Sequence, residues 1–135
     1  MSKFDQDSFA PLLGRILLAT IFLAAGLSKI TAFEGTVGYI GSQGVPFPTL
    51  AALGTILLEI GGGLILVLGW HARWAAAALG LFTLITAVLF HNFWAVAPDQ
   101  FQNQLIHFQK NLAIAGGMLY VVLFGSGAYS LRRDD

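Results

Sequence analysis

The chain is 135 residues long, 56% of them hydrophobic and only 10% charged, whereas a soluble domain carries roughly 25% charged residues. So few charges cannot cover the surface of a short soluble fold, and lipid is the expected solvent for most of the chain. Seven basic and seven acidic side chains cancel, leaving no strong field for nucleic acid, and the absence of cysteine excludes disulfides, thiolate metal sites and an intrachain dithiol relay.

The N-terminus carries Asp5 and Asp7 against a lone Lys3. It lacks the basic start of a cleaved signal peptide, so the first apolar run reads as a retained anchor. Four apolar runs follow, at about residues 12–30, 48–68, 74–93 and 107–124. Each approaches the ~20 residues that cross ~30 Å of hydrocarbon. In lipid every backbone group must bond internally, which predicts helix despite glycines and β-branched residues. Pro48 suits a helix start.

The connections differ. Residues 31–47 read as a long loop, with Gly35, Gly38, Gly41, Gly44 and Pro46 as turn formers. Residues 69–73 form a tight turn, and residues 95–106 a second longer loop with Pro98, Asp99 and several amides. The expected fold is all-α, an integral-membrane four-helix antiparallel bundle, with residues 1–135 as a single domain. Tight helix contacts are expected through Gly26, Gly61 to Gly63, Gly80 and Gly116-Gly117. Lys3, Arg73, Arg132 and Arg133 share one side, which the positive-inside rule places in the cytoplasm with both termini. Trp70, Trp74, Phe93 and Trp94 lie at span ends, where amphipathic rings prefer the interface.

The second run holds Glu59, with Gly61-Gly62-Gly63 just beyond it. A charge at that depth costs at least ~2.5 kcal/mol and is kept when it faces a partner or a cavity. Small residues beside it let a backbone or a ligand come close. In the first run Arg15 and Lys29 are fourteen residues apart, about 40° from each other around a helix and roughly 21 Å along it. Snorkelling of both to the headgroups is one reading; an inward-facing stripe is the other. His91 shares an azimuth with Arg73, and His107, Lys110 and Asn111 share one side of the fourth run. Lys29, His91, His107, Lys110 and Asn111 therefore collect near one rim, Arg15 and Arg73 near the other, and Glu59 lies between, within reach of either Arg15 or Lys29. A buried ion pair that fixes helix register is one reading of this set. A polar pocket for a small anionic or quinone-like ligand, open to the outer side, is the other. The histidines lack the company of haem or zinc ligands and the spacing of a metal motif, so no metal site is assigned and haem is disfavoured.

Several short motifs occur in a fixed order. Gly14-Arg15 opens the first helix and Gly26-Leu27-Ser28-Lys29 closes it. Glu59 with its glycines and Gly69 mark the second, and Arg73 follows the turn. His91-Asn92-Phe93-Trp94 ends the third, and Lys110-Asn111-Leu112-Ala113 with Gly116-Gly117 marks the fourth. The ordered set resembles the DoxX family of small four-helix membrane proteins. That resemblance implies a bacterial inner-membrane location. Some members are subunits of thiosulfate:quinone oxidoreductase, and others are linked to oxidative or electrophile stress. Without cysteine or a cofactor motif, redox chemistry here would need a quinone, a bound cofactor or a partner redox subunit.

Three functions fit the residues. In the first, a redox-linked membrane subunit handles a quinone or small oxidised metabolite. Glu59 accepts or relays a proton, and Lys29, His91, Lys110, Asn111 and Arg15 line the ligand site. In the second, a non-catalytic scaffold uses the charges as a register device. In the third, a homo-oligomer forms a conduit lined by Arg15, Glu59 and Lys29.

Overall fold

The computed structural model describes residues 8–132. Lys3, Asp5, Asp7 and Arg133, used above for anchor and orientation, lie outside them. The described chain is all-helical: α1 (Ala10–Thr31), α2 (Phe33–Ser42), α3 (Pro48–Leu68), α4 (Ala72–Phe90), a single 3-10 turn (Phe93–Ala95) and α5 (Phe101–Phe124). The segments Ala10–Thr31, Pro48–Leu68 and Ala72–Ala95 are long and apolar enough to cross a membrane.

The simple four-helix expectation needs correction in two places. Residues 31–47, read as a loop, contain α2. Its three glycines cost up to about 1 kcal/mol each in a helix. An unsatisfied backbone group near hydrocarbon costs several, so the helical hydrogen bonds prevail. The second difference is the start of α5, six residues before the predicted span, taking in Gln102, Asn103 and Gln104. Its first half is polar and its second half apolar, and it is not among the segments that qualify by length and apolarity.

The helices form two antiparallel hairpins. α1 packs along α3, with α2 folded back against α3 between them in sequence; α4 packs along α5, with the 3-10 turn in the equivalent place. A tight turn joins the hairpins. Gly69 ends α3 at φ +67 with its N–H bonded to Leu66 O, while the Trp70 N–H reaches Ile65 O, the double closure of a helix by a left-handed residue. His71 then takes φ 49 and opens α4.

The core is small: Ala19, Phe22, Leu66, Ala72, Ala76, Leu79 and Met118 form its buried cluster. Glycines let the helices close on it. A Cβ on Gly26 would stand 2.6 Å from Ile60 Cδ1, and one on Gly63 2.9 Å from Leu23 Cδ2. Gly62, Gly80 and Gly117 are also close-packed, whereas Gly61 and Gly116 face open space, against expectation. The outer surface is apolar. Leu17 on α1, Leu57 on α3, Leu81 on α4 and Leu119 on α5 are all exposed. Apolar faces this extensive require a hydrocarbon solvent.

Candidate functional site

Arginines fasten one end of the molecule. The last carbonyls of a helix have no partner within it, and a cation there also complements the helix dipole. Arg15, 1% exposed, lies in the second turn of α1 beside the C-terminus of antiparallel α3. Its Nη1 donates to Leu66 O and Val67 O, both at 2.8 Å, and its Nη2 donates to Tyr129 O. Arg73 at the start of α4 does the same for α5, donating from Nη1 to Val122 O at 2.9 Å and Leu123 O at 3.1 Å. The segment after α5 folds back over this end: Leu131 N–H reaches Leu68 O, Arg132 N–H reaches Gly69 O, and Arg132 Nη1 donates to His71 Nε2 at 3.1 Å.

At the other end the hairpins diverge around a cavity of about 610 Å³ to which all five helices contribute. Its apolar wall includes Ile21, Phe22, Ala25, Phe82, Phe90 and Ile114. Its polar wall brings together Lys29 from α1, Glu59 from α3, His91 at the C-cap of α4, and His107, Lys110 and Asn111 from α5. Of the residues singled out as site candidates, Lys29, Glu59, His91, Lys110 and Asn111 thus share one cavity. Arg15 stands apart: it does not line this cavity, because its side chain turns towards the carbonyls of α3 and Tyr129.

The sequence left the partner of Glu59 open. Here it is Lys29, whose Nζ lies 3.0 Å from Oε1 and 3.1 Å from Oε2. Glu59 is buried, while Lys29 keeps 28% of its side chain exposed. The missing side chain at Gly26 is what lets α3 approach here, with Glu59 Cβ 3.4 Å from the position a Cβ would take. Opposite, Asn111 Nδ2 donates to Thr83 O and to Thr86 Oγ1, both at 3.2 Å. That uses both amide hydrogens and leaves Oδ1 as an acceptor. At the rim the His91 and His107 rings stack at 5.1 Å. Gln104 Oε1 lies 3.0 Å from His91 Nδ1, and Lys110 Nζ lies 3.2 Å from His107 Nδ1. An ammonium can only donate, so His107 Nδ1 is unprotonated and its ring hydrogen sits on Nε2.

Reading the sequence missed Thr83, Thr86, Gln104 and Tyr39. The three-residue spacing of Thr83 and Thr86 on the inward side of α4 was an available signal. Tyr39, which meets Phe90 across the cavity mouth at 5.6 Å, was hidden because α2 was read as a loop. Among the described residues no group of three or more His, Asp or Glu side chains could hold a metal ion.

The fold and site define a small helical membrane protein, two arginine-capped hairpins enclosing an ion-paired cavity. The DoxX profile matches residues 10–92, so the chain belongs to the DoxX family. It is 38% identical to the inner membrane protein YphA of Escherichia coli K12, over 96% of this chain and 95% of that one. It is 43% identical to the inner membrane protein YqjF of the same organism, over 90% of this chain and 88% of that one. A more partial match, 35% identical over 58% of this chain and 56% of the other, is to CatD of Bacillus subtilis, named as a candidate oxidoreductase. No solved structure matches.

Proposed function

We propose that the protein is a redox-linked bacterial inner-membrane protein whose cavity receives a quinone or another small oxidised metabolite. The observation that carries this reading is the cavity. Its volume of about 610 Å³ falls in the ~300–1,000 Å³ range of small-molecule sites, and it has their usual design of apolar walls with a few convergent polar groups. Lys29, Lys110, His91 and Asn111 hold the ligand's oxygen atoms, and Glu59 accepts or relays a proton across its pair with Lys29. The location is supported by the E. coli relatives, which are named as inner membrane proteins and match nearly end to end. The redox link is supported by the name of CatD.

The same reading makes residues 1–135 one domain with α5 as a fourth span, since Leu112, Leu119 and Leu123 leave its second half apolar on the outside. Arg73 and Arg132 at the fastened end favour a cytoplasmic position for that end, with the cavity towards the outer leaflet. The test uses protein purified in a non-ionic detergent. A short-chain quinone should raise the unfolding temperature, and Glu59→Gln should remove that rise while lowering basal stability by less. No shift with any quinone would sink the proposal.

A scaffold role is the second reading. It is favoured by the geometry of the Lys29–Glu59 pair, which bonds through both carboxylate oxygens and fixes α1 against α3. It calls for a protein partner that co-purifies and for no response to small molecules.

A further inference from the structure

The electrostatics of the cavity narrow its ligand further than its size does. The charged side chains that line it are Lys29, Glu59 and Lys110, and the other titratable ones are Tyr39, His91 and His107. Lys29 and Glu59 neutralise each other at 3.0 Å. His107 is neutral, because its Nδ1 takes a hydrogen bond from Lys110. Lys110 therefore leaves an excess of one positive charge, and protonation of His91 would only add to it. The charge is also placed at one end: Lys110, His107 and His91 stand at the rim, and rings from Phe22 and Phe82 line the depth.

We infer, on the basis that this cavity is a ligand site, that it takes an amphipathic organic anion: a carboxylate or phenolate head on an apolar, ring-sized body. The head group lies against Lys110 Nζ, which has two hydrogens left after its bond to His107. The body occupies the aromatic depth. A cation would meet Lys110 as a like charge. A neutral molecule of the same shape would gain the apolar contacts without the charge-assisted bonds, which are about twice as strong as neutral ones.

A matched series tests this: para-butylbenzoate, the corresponding benzyl alcohol and benzylamine, and a short-chain neutral quinone. Binding is followed by equilibrium dialysis and by unfolding temperature in non-ionic detergent. The benzoate should bind, the alcohol about tenfold more weakly and the amine least. Lys110→Gln, at an exposed position that leaves the core intact, should weaken the benzoate about tenfold and leave the alcohol unchanged. Ile114→Trp, which fills the cavity, should abolish binding of the whole series. Equal binding of benzoate and alcohol, or a benzoate affinity unchanged in Lys110→Gln, would overturn the inference. Binding of the quinone but not the benzoate would overturn it while leaving the proposed function standing. Binding of none of the four would remove both.

Discussion

The ammonium of Lys29 bonds to both carboxylate oxygens of Glu59, at 3.0 and 3.1 Å, from the adjacent helix of the same hairpin. The two partners are unequal. Glu59 is buried in the middle of α3, whereas Lys29 sits near the end of α1 with part of its stem exposed. Removing the lysine strands a carboxylate in an apolar site; removing the carboxylate leaves a long side chain that can extend towards the rim. Lys29→Met should therefore cost roughly 3 kcal/mol, the low end for a broken buried pair, and Glu59→Gln clearly less. The double variant Lys29→Met with Glu59→Leu should recover most of the loss. Reversible unfolding in detergent–denaturant mixtures measures all three, and a double variant no better than Lys29→Met would contradict the pairing.

Arg15 should be far less replaceable than its place in a membrane helix suggests. Arg15→Met removes the donor to three carbonyls and should cost roughly 3 kcal/mol or more. Arg15→Lys should recover only part, because an ammonium lacks the planar fork. The specific readout is trypsin cleavage after Arg132. It should accelerate in both variants, since the Arg15–Tyr129 bond holds that segment down.

Two glycines give opposite expectations. Gly69 is left-handed, and a Cβ there would press on Ser130 and stand 2.6 Å from Arg15 Nη1. Gly69→Ala should therefore lose about 1–3 kcal/mol. Gly61, also flanking the turn-side half of α3, has nothing near its would-be Cβ. Gly61→Ala should be neutral or stabilise by up to roughly 1 kcal/mol. Thermal unfolding of the two variants side by side decides the matter.

Gly26 links helix spacing to the cavity. Gly26→Ala should cost about 1–3 kcal/mol by overpacking against Ile60. Ile60→Ala deletes the Cδ1 and Cγ1 atoms that the new methyl would meet at 2.6 and 2.7 Å. The combined variant should lose less than the sum of the two single losses. Unfolding free energies of the two single variants and the double form the check, and simple additivity would show that the contact is not limiting.

The gathering of Lys29, His91, Lys110, Asn111 and Glu59 was legible because helix rise and azimuth are local arithmetic: depth and facing follow once a run is known to be helical. Arg15 shows where that arithmetic stops. Its depth could be read, but its acceptors lie on residues 51, 52 and 114 positions away, carbonyls that carry no signature in side-chain sequence. α2 was missed for a different reason. Its glycines are turn formers in water, and only the cost of bare backbone beside hydrocarbon reverses that preference. The early start of α5 was masked likewise, since Gln102, Asn103 and Gln104 read as loop by polarity yet continue the helix into the cavity rim.

The two ends of the molecule are held very differently. The tight turn, the Arg15–Tyr129 bond and the return of Leu131 and Arg132 onto Leu68 and Gly69 fasten the hairpins together at one end. At the other end, among the described residues, α1 is not packed on α4, and Tyr39 meets Phe90 across the gap. The hairpins are therefore levers about 30 Å long, at 1.5 Å per residue, sharing a fulcrum at the arginine end. A relative rotation of ~5° about it changes the spacing at the far end by roughly 3 Å, close to the thickness of one aromatic ring, while the capping bonds beside the fulcrum hardly move.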